Sequence, residues 1–173
     1  MADKYLSQNA TNPDSVKEVE LIITSAGAGD SGKGIGLDAN GLIALNMMPA
    51  NVGPLTDEVE ASETLAAGDW VNLHASTGNK VRKADATTEG KECDGFVLAG
   101  ITSAATGTVY FHGINNQVTG LTPGDKYFLD TTAGAEVAVG SIPAASGNVQ
   151  QSIGKALSAT ELLFQRGTPL VLA

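Results

Sequence analysis

The sequence predicts an all-β fold: a small barrel or sandwich built from two sequence-similar β-modules, preceded by an extended N-terminal arm. Three observations carry this expectation. A nine-residue pattern occurs twice, as Leu65-Ala66-Ala67-Gly68-Asp69-Trp70-Val71-Asn72-Leu73 and as Leu121-Thr122-Pro123-Gly124-Asp125-Lys126-Tyr127-Phe128-Leu129. The echo runs on through Gly78 and Val81 in the first copy and Gly134 and Val137 in the second, and Gly95-Phe96-Val97-Leu98 answers Gly154-Lys155-Ala156-Leu157. Short β-prone runs alternate with turn signals at the spacing of a barrel or sandwich. Charged residues make up only 17% of the chain while glycine numbers 21, a balance that favours turns and short strands over disorder.

The arm covers residues 1–57, outside the repeat. Its turn signals are Asn12-Pro13, Asn40-Gly41, Gly53-Pro54 and a glycine-rich stretch at 27–36. Val19 to Thr24 and Leu42 to Leu45 are strand-length apolar runs. A helix over Asp14 to Ile23 competes only weakly, because β-branched residues dominate its second half. The first copy covers 58–113, with strands expected near 58–62, 69–74, 80–84, 92–101 and 107–112. The second covers 116–173, with strands near 126–130, 135–139, 148–157, 161–166 and 169–172. Among the separating turns are Thr77-Gly78-Asn79, Thr88-Glu89-Gly90, Ala105-Thr106-Gly107 and Ser146-Gly147-Asn148. Within the repeat, Leu is expected to point inward, Gly to take a positive φ, and Asp to accept nearby backbone N–H groups. Trp70, Tyr110, Phe111, Tyr127, Phe128 and Phe164 fall in the expected strands and are read as core.

The bulk properties exclude several functions. A net charge of −9 does not suit a nucleic-acid binder, which needs a basic stripe to replace counterions. No stretch approaches the ~18 apolar residues of a membrane span. Met1-Ala2-Asp3-Lys4-Tyr5 lacks a basic start followed by an apolar run, so no signal peptide is expected. The single Cys93 cannot form an internal disulfide, which fits synthesis in a reducing cytoplasm.

The motifs that resemble chemistry read as scaffold. Gly27-Ala28-Gly29-Asp30-Ser31-Gly32-Lys33-Gly34 matches G-x-G-x-x-G and nearly matches a phosphate loop, but Gly34 replaces the hydroxyl that binds Mg²⁺. The residues that follow, Ile35 to Gly41, make a poor helix, and a phosphate site needs a helix N-terminus there. Asp38-Ala39-Asn40-Gly41 begins like a calcium loop without its later ligands and reads as a β-turn. His74 and His112 lack the partners of a zinc site and read as surface or interface residues. Cys93, between Glu92 and Asp94, has neighbours that blunt a thiolate. No catalytic residues, cofactor or metal ligands are therefore expected, and the chain is expected not to be an enzyme.

Several segments together resemble the virion proteins of tailed bacteriophages, and in particular the capsid decoration (cement) proteins of phage heads. They are Ala66-Ala67-Gly68-Asp69-Trp70-Val71-Asn72, Val81-Arg82-Lys83-Ala84-Asp85-Ala86, Gly95-Phe96-Val97-Leu98, Gly120-Leu121-Thr122-Pro123-Gly124, and Gly154-Lys155-Ala156-Leu157 through Phe164. Leu37-Asp38-Ala39-Asn40-Gly41-Leu42-Ile43 through Met47-Met48-Pro49 is similar to a linker of phage structural proteins. The resemblance implies a non-enzymatic protein on the outer surface of the head, made in the host cytoplasm. It would bind at junctions between major capsid protein subunits as a homo-oligomer, with a trimer favoured over a dimer. The arm is then the expected contact, through Tyr5, Leu6, Leu21, Ile22, Ile23, Leu42, Ile43, Leu45, Met47 and Met48. The alternative is a tail-fibre or adhesin module that recognises host surface glycans, which would need exposed aromatics and carboxylates at one end of the barrel.

Overall fold

The computed structural model describes residues 4–9, 11–39, 41–48, 53–76 and 78–173, without the side chains of Pro13, Leu45, Ala75 and Ser76. Expectations that fall on Asn40, Thr77, Pro49 and the Leu45 side chain lie outside the described residues. Strands dominate, and no α-helix occurs among the described residues. The all-β expectation holds. The chain divides into two units, residues 1–53 and 54–173.

The first unit is a three-stranded sheet. Strand β1 (Lys4–Asn9) pairs antiparallel with β2 (Asn12–Ile22), and β3 (Gly34–Ile35) pairs parallel with the end of β2 through Leu21↔Gly34 and Ile22↔Ile35. The competing helix over Asp14 to Ile23 does not form. The β-branched side chains of that run suit the pleat, and β1 supplies a ladder along its length. The hairpin turns just before Asn12-Pro13. There the Asn9 carboxamide oxygen accepts the Thr11 N–H at 3.1 Å and the Thr11 hydroxyl at 2.7 Å.

The second unit holds both copies of the repeat. In the first module, β4 (Thr56–Ala61), β5 (Trp70–Ser76), β6 (Gly78–Lys83), β7 (Gly95–Phe96) and β8 (Thr106–Tyr110) form a closed barrel in the order β4-β6-β5-β7-β8. In the second, β9 (Gly113–Asn115), β10 (Lys126–Leu129), β11 (Glu136–Ala138), β13 (Ser152–Ser158) and β14 (Glu161–Phe164) form a sheet in the order β11-β10-β13-β14-β9. The remaining strands, β12 (Val149–Gln150) and β15 (Leu170–Val171), pair with each other. Cutting the barrel between β4 and β6 leaves the order β6-β5-β7-β8-β4, which is that of the second sheet position for position. The difference is closure. In the barrel a short parallel ladder, Glu60↔Lys80 and Ala61↔Val81, joins the two ends. In the second sheet no ladder joins β9 to β11 among the described residues.

The repeated turn is the same device in both copies. Gly68 and Gly124 take φ of 94° and 88°, values a side chain rarely tolerates. The Gly68 N–H donates to Val97 O and the Gly124 N–H to Ala156 O, at 2.8 and 2.9 Å. The Val97 N–H returns to Asp69 O and the Ala156 N–H to Asp125 O, at 3.1 and 3.0 Å. Leu65 and Leu121 are buried beneath these turns, as expected. In the first copy the Asp69 carboxylate also accepts the Ala66 N–H at 2.7 Å.

Two expected strands are broken. Of residues 92–101 only Gly95–Phe96 forms strand, because flanking backbone groups bond elsewhere: Cys93 to the Gln151 side chain and the Asp94 N–H to Val71 O. The run 148–157 splits into β12 and β13 at that same Gln151.

The two modules stack in one direction. Val59, Ala61, Leu65, Val71, Val81, Val97, Ile101 and Val109 fill the barrel. Trp70, Ala84, Ala86, Cys93 and Phe96 point out of it and pack against the second module's Tyr127, Leu129, Ile153, Ala156, Leu162 and Phe164. The open sheet thus uses its inner face to hold the outer face of the barrel. Each large side chain buried there contributes about 1.5–3 kcal/mol.

Candidate functional site

The residues expected to contact a partner lie in the first unit, which has no buried residue among those described. Leu6 and Leu42 are 68% and 62% exposed, and Tyr5, Ile23, Ile43 and Met48 are also exposed. Leu21, Ile22 and Met47 are half-buried. Tyr5, Val19 and Leu21 share one face of the hairpin, since Tyr5 and Val19 are direct cross-strand partners and Leu21 follows two positions on. They close over Gly34, where a Cβ would come within 2.6 Å of both Tyr5 and Leu21. That close approach explains the glycine at the position where a phosphate loop carries its hydroxyl.

The glycine-rich loop lines a cavity of about 330 Å³ and folds its own Asp30 back onto its backbone. A short 3-10 turn covers Ala28–Asp30. The Asp30 carboxylate accepts the Ala26 N–H at 2.6 Å and pairs with Lys33 Nζ at 2.7 Å. Lys33 holds the Asp30 carboxyl below its ordinary range. The loop therefore places a carboxylate where a phosphate would need positive charge, and a strand follows it rather than a helix. In the next turn the Asp38 carboxylate accepts the Leu42 N–H at 2.9 Å, and the Gly41 N–H donates to Asp38 O at 3.0 Å.

In the second unit the polar residues concentrate at the joint between modules. The Trp70 indole N–H donates to Glu136 Oε2 at 2.7 Å. Its ring meets Phe96 edge-on at 5.6 Å and Phe164 at 5.5 Å. Burial pushes the Glu136 carboxyl up, and the indole bond only partly opposes this. Gln151, fully buried, clamps Cys93: its oxygen accepts the Cys93 N–H at 2.7 Å and its amide donates to Cys93 O at 2.9 Å. Buried Asn115 donates to Gly68 O at 2.9 Å, tying the second module to the repeated turn of the first. Asp94 accepts the Leu73 N–H at 2.8 Å and pairs with Arg166 at 2.7 Å. Burial, then Asp94, raises the Cys93 thiol far out of the nucleophilic range. The sequence singles out Trp70 and Phe164 as core and Cys93 as a thiol blunted by Asp94, but not Glu136, Gln151, Asn115 or Arg166. A glutamine at an inward position between Val149 and Ile153 was the one available signal.

The structure also joins two residues that no motif linked. Ser62 Oγ lies 2.9 Å from His74 Nε2. Burial, then Arg82 and Lys80, holds the imidazole below its ordinary range. A nucleophile–base pair needs a third group to orient the base. The adjacent Glu63 carboxylate instead accepts the Lys83 N–H at 2.8 Å. His112 is exposed. Of the aromatics read as core, Trp70, Tyr127 and Phe164 are buried, and Tyr110, Phe111 and Phe128 are half-buried.

Two outer surfaces of this unit remain. A groove of about 400 Å³ lies between β8 and the 98–105 segment, lined by Leu98, Ile101, Thr106, Thr108 and Tyr110 among others, with no carboxylate, amine or imidazole in its lining. Glu58 borders it, because Thr108 is its ladder partner and donates a hydroxyl hydrogen bond to its carboxylate. On the outer face of the second module Lys126 and Lys155 are direct cross-strand partners, and Leu157 and Ile114 are 49% and 43% exposed.

No protein-family model matches the chain, and no curated protein does. Among solved structures, the chain is similar to the head fiber gp8.5 N base of bacteriophage phi29, with a TM-score of 0.43 and 10% identity, over 67% of this chain and 98% of that one.

Proposed function

We propose that this chain is a non-enzymatic structural protein of a tailed-phage virion. It binds the outer surface of the head at junctions between major capsid protein subunits and stabilises the shell. The segments similar to decoration proteins motivate the reading. The observation that carries it is the state of the first unit. Its described residues include no buried side chain, yet they present Leu6, Val16 and Leu42 at more than 60% exposure. Along Lys4–Ser7 and Lys17–Glu20 the sheet is two strands wide among the described residues, so each strand presents an edge with no ladder among them. A two-stranded hairpin is marginal in water, and a free edge is a template for another chain. Such a unit reaches a stable state by packing on a neighbour. The second unit supports the same reading, because its buried Asn115 and Gln151 are engaged in holding the modules together and its buried Asn72 and Asp85 in bonds within the first module.

The test is binding of the full-length chain to purified heads that lack it. The wild type is expected to saturate at a fixed number per head and to raise the temperature at which the heads release DNA. L6D/V16D/L42D is expected to lose binding while the barrel unfolds at an unchanged temperature. Unchanged binding by that variant, or labelling of tails instead of heads, overturns the reading. Multiple equivalent sites on a shell let weak individual contacts suffice.

A further inference from the structure

The groove on the barrel has a chemistry that the head-binding reading leaves unused. Thr106, Thr108 and Tyr110 alternate along β8, so their side chains share its outer face, opposite core Val109. With Leu98, Ile101 and Thr102 they line a space of about 400 Å³, a size that suits a small ligand. Both sides of the groove are fixed. The 98–105 segment is tied to the barrel at Ile101, which exchanges backbone bonds with Leu65 at 2.8 and 2.9 Å, and at Ala104, whose N–H donates to Ala61 O at 2.8 Å. Ile101 also packs in the barrel core. On the β8 side the buried Phe96 stacks on the Tyr110 ring at 5.5 Å and holds it in place. A site formed in advance loses little freedom when a ligand enters.

The lining combines apolar surface with hydroxyls and carries no ionised side chain. Among the described residues the hydroxyls of Thr102, Thr106 and Tyr110 have no partner in the chain. The Thr108 hydroxyl gives its hydrogen to Glu58, so its oxygen is left to accept. An apolar ligand would take water from these hydroxyls without replacing the hydrogen bonds. An anion would meet the Glu58 carboxylate at the border and no cation in the lining. A sugar ring matches both kinds of surface, with C–H groups on its faces and hydroxyls around its rim. We propose that this groove binds an uncharged saccharide. Tyr110 and Leu98 pack against the C–H face of one sugar ring, and the Thr102, Thr106 and Thr108 hydroxyls bond to its hydroxyl groups. The inference goes beyond the head-binding reading and does not rest on it.

Titration of the isotope-labelled full-length chain, followed by amide chemical shifts, tests it. The neutral probes are the methyl glycosides of glucose, galactose, mannose and N-acetylglucosamine; the anionic probe is N-acetylneuraminic acid. At least one neutral probe is expected to bind at millimolar strength, as fits a ligand of about a dozen heavy atoms, and to shift the amides of residues 98–110 most. N-Acetylneuraminic acid is expected to bind about tenfold more weakly than that probe. T102V/T106V keeps the side-chain shapes and removes two exposed hydroxyls. It is expected to weaken the neutral probe about tenfold with an unchanged thermal midpoint. Y110F keeps the ring and is expected to weaken it about threefold. The proposal is overturned if no neutral probe shifts residues 98–110, or if the shifts centre elsewhere on the chain. Binding of N-acetylneuraminic acid as tight as that of the best neutral probe also overturns it, as does wild-type affinity in T102V/T106V.

Discussion

Replacing Trp70 tests how the two modules are joined. Trp70 is fully buried, contacts Phe96 and Phe164, and donates to Glu136. Truncating a buried Trp to Ala costs about 3–5 kcal/mol. The Glu136 carboxyl then loses its indole partner, and a buried polar group left alone costs about 1–3 kcal/mol. The two costs overlap, so Trp70→Ala is expected to lose about 4–5 kcal/mol, a third or more of a typical domain stability. With a urea slope of about 1.5–2 kcal/mol/M, the midpoint falls by about 2–3 M. Trp70→Phe keeps an aromatic ring in the joint and removes the hydrogen bond, so its expected loss is smaller, about 2 kcal/mol and about 1 M. The assay is urea unfolding followed by far-UV circular dichroism. In the wild type, fluorescence adds a local probe, since the chain has a single tryptophan. Its transition should coincide with the dichroism transition if both modules unfold together. A Trp70→Ala midpoint within about 0.5 M of wild type would show that the joint does not hold the modules together.

Two further outcomes follow from the same joint. Burial raises the Glu136 carboxyl above its ordinary 4.5, so the folded state binds that proton more tightly than the unfolded chain. Its contribution to stability therefore declines as pH rises from 4.5 through the raised value. Glu136→Gln should flatten that part of the urea midpoint against pH curve, and an unchanged slope would remove Glu136 as its source. Gln151→Leu leaves the buried Cys93 N–H and C=O without partners at about 1–3 kcal/mol each. It should destabilise the unit by about 2–4 kcal/mol and speed hydrogen exchange at the Cys93 amide. Wild-type exchange at that amide would count against the clamp.

Much of the second unit was legible because its signals are local. The L-x-x-G-D turn, the alternation after it and the glycines that interrupt it are set by steric rules acting over a few residues. Both copies form accordingly, down to matching backbone hydrogen bonds at Gly68 and Gly124. The strand expected over 92–101 is cut short because β-propensity ignores competition for backbone groups, and Gln151, 58 positions away, takes those of Cys93. The helix over Asp14 to Ile23 loses because β1 offers Val16 to Glu20 a ladder that local helix propensity does not count.

Residue order is enough to establish an all-β protein, a body made of a duplicated module, and a glycine-rich loop without the hydroxyl and the helix of a phosphate site. Tertiary structure alone decided that one copy closes through β4 and β6 while the other stays open to receive it. It also decided that Trp70 meets Glu136 and that Ser62 meets His74. Turn and strand preferences arise from neighbouring atoms along the chain. Closure, burial and pairing depend on contacts between segments 12 to 66 residues apart, and those exist only once the sheets have folded against each other.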